Sequence, residues 1–376
     1  MSFKVKGLLK DLGGASRVTR ARIETMENGS ERPDPKDPIR ELADKLHPAS
    51  MEFVVESVRD ASPTSKTYRL RSADGHIPVF QAGGAMIIRP EISGIQFHSA
   101  AVDNYRHIVG KDAVTLVTNT DIIYLDNQYA TDGTSFIAET MFLSGLTELD
   151  ENGNWKLDMA ESFDVSEDAT VYTFKIRDDA NWSDKDGNVI APVTANDFVY
   201  AFDRLISDEL ASDYSWWISD VLLAESWEAV DDKTFKVTLS QPNGIFMQCL
   251  SFPSVFPVYQ PLVESAGDQY ATSADTVYSC GPYILDSWTP GYSYELKYND
   301  NYYFIDDYKA AGGASKVVFR VLEDTQTALM EYEAGNIDTV ILSGEQVDAN
   351  KSVDGFVNRL QGYLFYLSIN INHYGE

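Results

Sequence analysis

Between Val171 and Arg177, apolar and polar residues alternate. Tyr172, Phe174 and Ile176 fall on one face and Thr173, Lys175 and Arg177 on the other, the period of a half-buried strand. The cluster Ser183-Asp184-Lys185-Asp186-Gly187-Asn188 then reads as a turn. Thr194 stands at an N-cap position with Asp197 three residues on, and Phe198, Ala201, Phe202 and Leu205 follow at helical spacing. This spacing predicts a helix over Ala195–Leu205. Strands are predicted on the same grounds at Val114–Val117, around Phe235, Val237 and Leu239, at Tyr294–Tyr298, and at Val317–Val321. A last strand is expected over Tyr363–Ile371. Helical runs are read at Phe136–Leu143, just after Gly244, and at Thr325–Ala334 with Gly335 at C′. Nearer the start, Met51–Pro90 reads as β, with Gly83-Gly84 and Pro90 marking its end. Residues 1–49 are polar, with a Pro-rich linker at 27–38 and a short helix expected at Pro38–Lys45. Strands and helices intermix without a strict βαβ rhythm, so the fold class is α/β in the broad sense, a mixed α+β architecture.

Charge divides this pattern. Met1–Lys111 holds 17 Lys/Arg and 14 Asp/Glu, whereas Asp112–Glu376 holds 13 and 44, so the net charge steps from +3 to −31. A step that abrupt suggests a domain boundary or a junction of unrelated sequences. A total of −28 argues strongly against nucleic acid as a partner, because phosphate binding rests on a Lys/Arg excess. No run of about 18 apolar residues occurs, so no membrane-spanning helix is expected. The start MSFKVKGLLKDLGG lacks the apolar core of an export signal. Cys249 and Cys280 read as two buried thiols, with pairing left open.

Catalytic signatures are sparse in the sequence. The five histidines are His47, His76, His98, His107 and His373, so Ile108–Asn372 contains no imidazole. That removes the commonest general base and transition-metal ligand from nearly all of the acidic region. Neither GxxxxGK[ST] nor GxGxxG occurs. Asp150, Asn152, Asn154, Asp158 and Glu161 have calcium-loop spacing, but Trp155 occupies the position that requires Gly, and a hairpin turn is the better reading. The pairs Asp178-Asp179, Asp231-Asp232 and Asp306-Asp307 read as solvated acids beside strands. No metal, cofactor or catalytic residue is assigned, and the chain is not read as an enzyme.

Residues 160–204, AESFDVSEDATVYTFKIRDDANWSDKDGNVIAPVTANDFVYAFDR, carry a specific order of parts. They resemble the signature block of the family 5 extracellular solute-binding proteins, the oligopeptide and dipeptide receptors of ABC importers. YATDGTSF (129–136), GLTELDENG (145–153), DDKTFKVTL (231–239), SCGPYILDSW (279–288), NDNYYF (299–304) and YEAGNID (332–338) extend the resemblance from about Val114 to Asn372. It implies a periplasmic-binding-protein-like bilobal fold that closes over an extended peptide held largely through its main chain. The implied partners are a peptide and ABC importer membrane subunits. A monomer and an extracytoplasmic location are expected with them.

Carried over residue by residue, the segment after the LDP-like motif nominates Tyr129, Thr131, Asp132 and Gly133, with Asn127 standing where the family has Pro. ASDYSWW resembles a ligand-facing loop and nominates Tyr214, Trp216 and Trp217, although core packing is the competing reading of any aromatic. Cys280 matches a cleft position that is Cys in some members. Residues 51–95 resemble the first strands of the flavin-binding barrel of ferredoxin-reductase-like oxidoreductases, but GIQFHSA replaces the flavin motif and no flavin is expected. The expected domains are 1–50 (polar), 51–99 (β-rich), 112–315 (first lobe) and 316–376 (the start of a second lobe). An incomplete second lobe would expose strand edges and apolar surface. The alternatives are a flavin-dependent oxidoreductase fragment fused to a binding domain, and an oligosaccharide ligand in place of a peptide. Nickel is disfavoured by the missing histidines.

Overall fold

Seventeen strands and seven helices are defined in a computed structural model that describes residues 53–62, 65–72, 81–98 and 102–364. The expected linker at 27–38, the helix at Pro38–Lys45, and most of the strand at Tyr363–Ile371 lie outside those residues. The chain divides into two compact units, Met1–Gln81 with Leu364–Glu376, and Ala82–Tyr363. In the first, β1 (Phe53–Ser62) pairs antiparallel with β2 (Ser65–Ser72).

The second unit is built on three main sheets. One has the order β11-β12-β8-β7, from β7 (Ala160–Val165), β8 (Val171–Ile176), β11 (Ala224–Asp231) and β12 (Thr234–Leu239). Its inner face is the one the alternation foretold, with Tyr172, Phe174, Ile176, Phe235, Val237 and Leu239 buried. Helix α2 (Ala195–Leu205) covers that face, and Phe198 and Phe202 each lie 5.5 Å from the Phe235 ring. The capping box at Thr194 and Asp197 is formed, and the fully buried Trp182 donates its indole N–H to Asp197 at 3.3 Å. Two separated parts of the signature block thus meet at one carboxylate. Lys233 closes the same corner by donating to the carbonyls of Arg177 and Val193, both at 2.8 Å.

A second sheet has the order β13-β14-β15-β4, with β4 (Ala113–Thr118), β13 (Tyr283–Thr289), β14 (Ser293–Tyr298) and β15 (Lys316–Val321). Only the β15–β4 pairing is parallel. Helix α1 (Gly133–Phe142) packs along β13. The third sheet has the order β16-β3-β17, with β3 (Gln81–Ile88), β16 (Thr339–Leu342) and β17 (Phe356–Leu364). Here the structure departs from the sequence reading. β3 runs through Gly83-Gly84 and pairs with β16 and β17, not with β1 or β2. Its residues alternate between two cores. Met86 and Ile88 join the large core, whereas Ala85 and Ile87 join a smaller one with Val117, Ala328, Tyr332, Ile337, Val340 and Leu342. The charge step at Lys111 falls inside this unit, where Lys111 pairs with Asp338 and Glu91.

The remaining elements are short. The predicted hairpin at Asp150 joins β5 (Thr147–Leu149) to β6 (Trp155–Leu157), with the Asp150 carboxylate accepting from the backbone N–H groups of Asn152 and Asn154. β9 (Asn181–Ser183) pairs with β10 (Val189–Pro192). The run after Gly244 makes one helical turn, α3 (Phe246–Cys249), and α4 (Gln260–Ala266) follows. Asp306-Asp307 lie in the first turn of α5 (Ile305–Ala310), where the helix dipole favours acids. α6 (Thr325–Glu333) matches its predicted span, and α7 (Glu345–Asn350) precedes β17. No helix among the described residues is long and apolar enough to cross a membrane.

A buried ion cluster ties these pieces together. Arg106 is 2% exposed and donates to Glu148 at 3.2 Å, Asp158 at 3.0 Å, the Leu143 carbonyl at 3.3 Å and Ser144. Tyr302 and Tyr303 donate their hydroxyls to the other oxygen of Asp158. Burial alone would push the Glu148 carboxyl up. The hydrogen bond from His107 and the charges of Arg106, His107 and Lys156 outweigh burial and hold it well below the usual carboxylate range. Removing the guanidinium strands two buried acids, so R106A is expected to cost about 3–5 kcal/mol in chemical denaturation. Because the folded Glu148 ionises lower than the unfolded one, its share of stability is present above the ordinary value of about 4.3. That share is lost as pH falls through the folded value, and Arg106→Ala should flatten this acid limb.

Candidate functional site

The carboxyl ends of the parallel strands β4 and β15 open onto the loop that leads into α1, the place where α/β sheets commonly bind ligands. Asp126 fixes the base of that loop. Arg204, from the last turn of α2, donates to both its oxygens at 3.0 and 2.6 Å and to Gln128 Oε1 at 2.9 Å. Burial opposes the Arg204 charge, but Asp126 more than offsets it and raises the guanidinium's pKa. Asn127, the departure from the family's Pro, is buried and donates to the Pro253 carbonyl at 2.7 Å. It holds the loop against the turn at Pro253–Val255.

Above this base the chain presents Tyr129, 45% exposed and packed edge-on against Tyr124 at 4.7 Å, and then exposed Thr131. Asp132 caps α1, its carboxylate accepting from the Ser135 N–H at 2.9 Å and the Ser135 hydroxyl at 2.6 Å. Gly133 opens the helix with free space where a Cβ would stand. Among the described residues the N–H groups of Gly133 and Thr134 donate to no protein acceptor. They are therefore open donors at a helix N-terminus.

The ASDYSWW loop docks onto the same place. Ser212 donates to the Gln128 carbonyl at 2.6 Å, which brings Tyr214 to 5.6 Å from Phe136 on α1. Tyr214 stacks with Trp216 at 6.1 Å, and Trp217 stacks on Phe252 at 4.3 Å. Phe252 in turn meets Phe136 and Tyr214, each at 5.0 Å. The result is an aromatic wall graded from core to solvent, with Phe136 buried at its root and Trp216 45% exposed at its rim. The two nominated segments therefore meet through Ser212–Gln128 and Tyr214–Phe136, one carrying Tyr129, Thr131, Asp132 and Gly133 and the other Tyr214, Trp216 and Trp217.

Cys280 stands apart from them. Its side chain is 2% exposed, and its backbone N–H donates to the Phe142 carbonyl at the far end of α1. A ten-residue helix separates it from Gly133, roughly 15 Å at 1.5 Å per residue. Both cysteines are free thiols, and burial pushes each thiol pKa up. No cluster of three His, Cys, Asp or Glu fit to hold a metal occurs among the described residues. Phe252 and Gln128 carry no local signal of their supporting roles, which arise only when the two loops meet, whereas Asn127 stands out only as a departure from the family's Pro. Ser212, inside the ASDYSWW motif, carried some signal.

Residues 154–375 match the model of the bacterial extracellular solute-binding proteins, family 5 (middle region). The chain belongs to this family. It is 32% identical over 269 residues to the dipeptide-binding protein of Lactococcus lactis, covering 67% of this chain and 47% of that protein. It is 33% identical over 208 residues to the periplasmic oligopeptide-binding protein OppA of Salmonella typhimurium, covering 52% and 36%. Among solved structures, Listeria monocytogenes OppA bound to peptide superposes with a TM-score of 0.60 at 28% identity, covering 65% of this chain and 49% of that one. The chain thus spans about half the length of these relatives or less. Its mixed α/β fold, with no sheet closed into a barrel among the described residues, is that of the periplasmic peptide-binding proteins it superposes on.

The packing yields a direct test of accessibility. In the folded protein, Cys280 should resist a thiol reagent at neutral pH and react only on unfolding, since only the thiolate attacks and this thiol is both buried and hard to ionise. Rapid labelling of Cys280 under native conditions would contradict its placement.

Proposed function

We propose that this chain supplies one wall of a peptide-binding cleft in the receptor of an ABC importer, working outside the cytoplasmic membrane as a monomer. The carrying observation is the convergence of Tyr129–Gly133 with Tyr214–Trp217 at the carboxyl end of β4. Main-chain carbonyls of an extended peptide would accept from the open N–H groups at the start of α1, while its side chains lie along the aromatic wall. A flat wall of Tyr and Trp offers contact area without demanding one side chain, which suits a ligand read through its backbone. This chemistry needs neither an activated nucleophile nor a bound ion.

Isothermal titration of the chain with a panel of short unmodified peptides tests the reading, with maltodextrins of similar size as the comparison. Peptide heats that saturate, with none from the sugars, are expected. The reverse pattern would make the ligand an oligosaccharide. Truncating an exposed rim aromatic typically costs a binding site about 1–2 kcal/mol, so W216A should weaken peptide affinity about five- to thirtyfold. Trp216→Phe should recover most of that loss.

A further inference from the structure

Two helical turns beyond Asp132, on the same side of α1, lies a carboxyl group for which the site has no use. Residues three, four and seven apart share a helix face, so Asp132, Ser135 and Glu139 line up along it. Glu139 is fully buried, and neither of its carboxyl oxygens has a hydrogen-bond partner among the described residues. The charged groups near it are of its own sign, Asp126 and Asp132. Arg204 is committed to Asp126 and Gln128. Tyr270, half-buried, lies close enough to feel the charges of both Glu139 and Asp126. β13, along the helix, carries Tyr283, whose hydroxyl donates to the Ala314 carbonyl, and Asp286, which pairs with Lys297. Cys280 sits at the far helix end, and the turn at Pro253–Val255 brings no ionisable side chain.

A bare carboxylate in such a place is among the most costly things a fold can bury, whereas the neutral acid costs far less. Burial first, and then the two neighbouring carboxylates, push the ionisation of Glu139 well above the usual range. We propose that Glu139 is held as a neutral carboxylic acid inside the domain and acts as a pH-sensitive latch on α1, seating the helix while it keeps its proton and loosening it on ionisation. The helix start that carries Asp132 and Gly133 is the part such loosening would release.

The sign follows from linkage. In the unfolded chain the glutamate ionises near 4.3. Above that pH, and until the folded group ionises, the folded state carries one proton more than the unfolded state, so stability falls as pH rises. The unfolding constant should grow about tenfold per pH unit over that interval. Neither E139Q nor E139M can ionise, so each serves as the reference against which all other groups cancel.

The experiment is chemical denaturation of the full chain and the two variants, without peptide, at successive pH values from about 5 to about 8. A wild-type unfolding constant that climbs relative to both variants by up to about tenfold per pH unit is expected, and parallel profiles would overturn the proposal. If E139Q does not fold, E139M carries the comparison, since it brings no polar group to bury. An independent reading needs no variant. The infrared spectrum of the wild-type protein at neutral pH, where solvated carboxylates are ionised, should contain a protonated-carboxyl band, and its absence would also overturn the proposal. Because no peptide is present, either result stands apart from the outcome of the binding titrations.

Discussion

The guanidinium of Arg106 is the point on which this domain depends. It lies in a short segment before β4, yet it reaches the hairpin through Glu148, the start of the signature block through Asp158, and the end of α1 through Leu143 and Ser144. Tyr302 and Tyr303 complete the coordination of Asp158 from a fourth place in the chain. Residues 143–158 are therefore tied to one cation that has left water, and through Asp158 so are Tyr302 and Tyr303. Such a charge is tolerable inside a protein only when nearly every donor is met, and that demand makes the arrangement specific. An apolar replacement could fill the volume without dictating which segments meet.

From that anchor the order of parts in the signature block acquires a physical reason. Trp182 and Asp197 are fifteen residues apart, and they belong together because the indole donates to the carboxylate that caps α2. The last turn of the capped helix carries Arg204, and Arg204 grips Asp126 at the base of the loop that leads into α1. A chain of contacts thus runs from the core sheet through one helix to the candidate site. The site residues themselves make few contacts. Their positions are inherited from α2, from Asn127 against Pro253, and from Phe252 behind the aromatic wall.

Much of the fold could be read from the sequence because local signals and tertiary demands agree over most of it. At α2 the cap, the acidic third residue and the apolar spacing all point one way, and the helix occupies the predicted span. Period-two alternation located β8, β12, β14 and β15 for the same reason. Reading failed where the deciding partner lay far away. Gly83-Gly84 suggests an end, but β3 continues through it because β16 and β17 supply its hydrogen bonds. The stretch around Asn104–Lys111 reads as a polar bridge, and nothing local shows that its arginine is buried. At the candidate site, motif resemblance nominated two loops that the structure brings into contact. It also nominated Cys280, which packs at the other end of α1, because a motif gives a position in the chain and not which end of a helix that position meets.

The strand β3 also sets terms for how the domain comes to be folded. It begins the unit, and its partner β16 follows roughly 250 residues later. Since its two faces supply residues to separate cores, neither can be sealed until that late strand has been synthesised and has returned. Pairing at such separation is slow to form and exposes apolar strands in the interval. A nascent chain of this kind would depend on being shielded until its third sheet closes, and a chain held open for that long is also one that can still be threaded elsewhere.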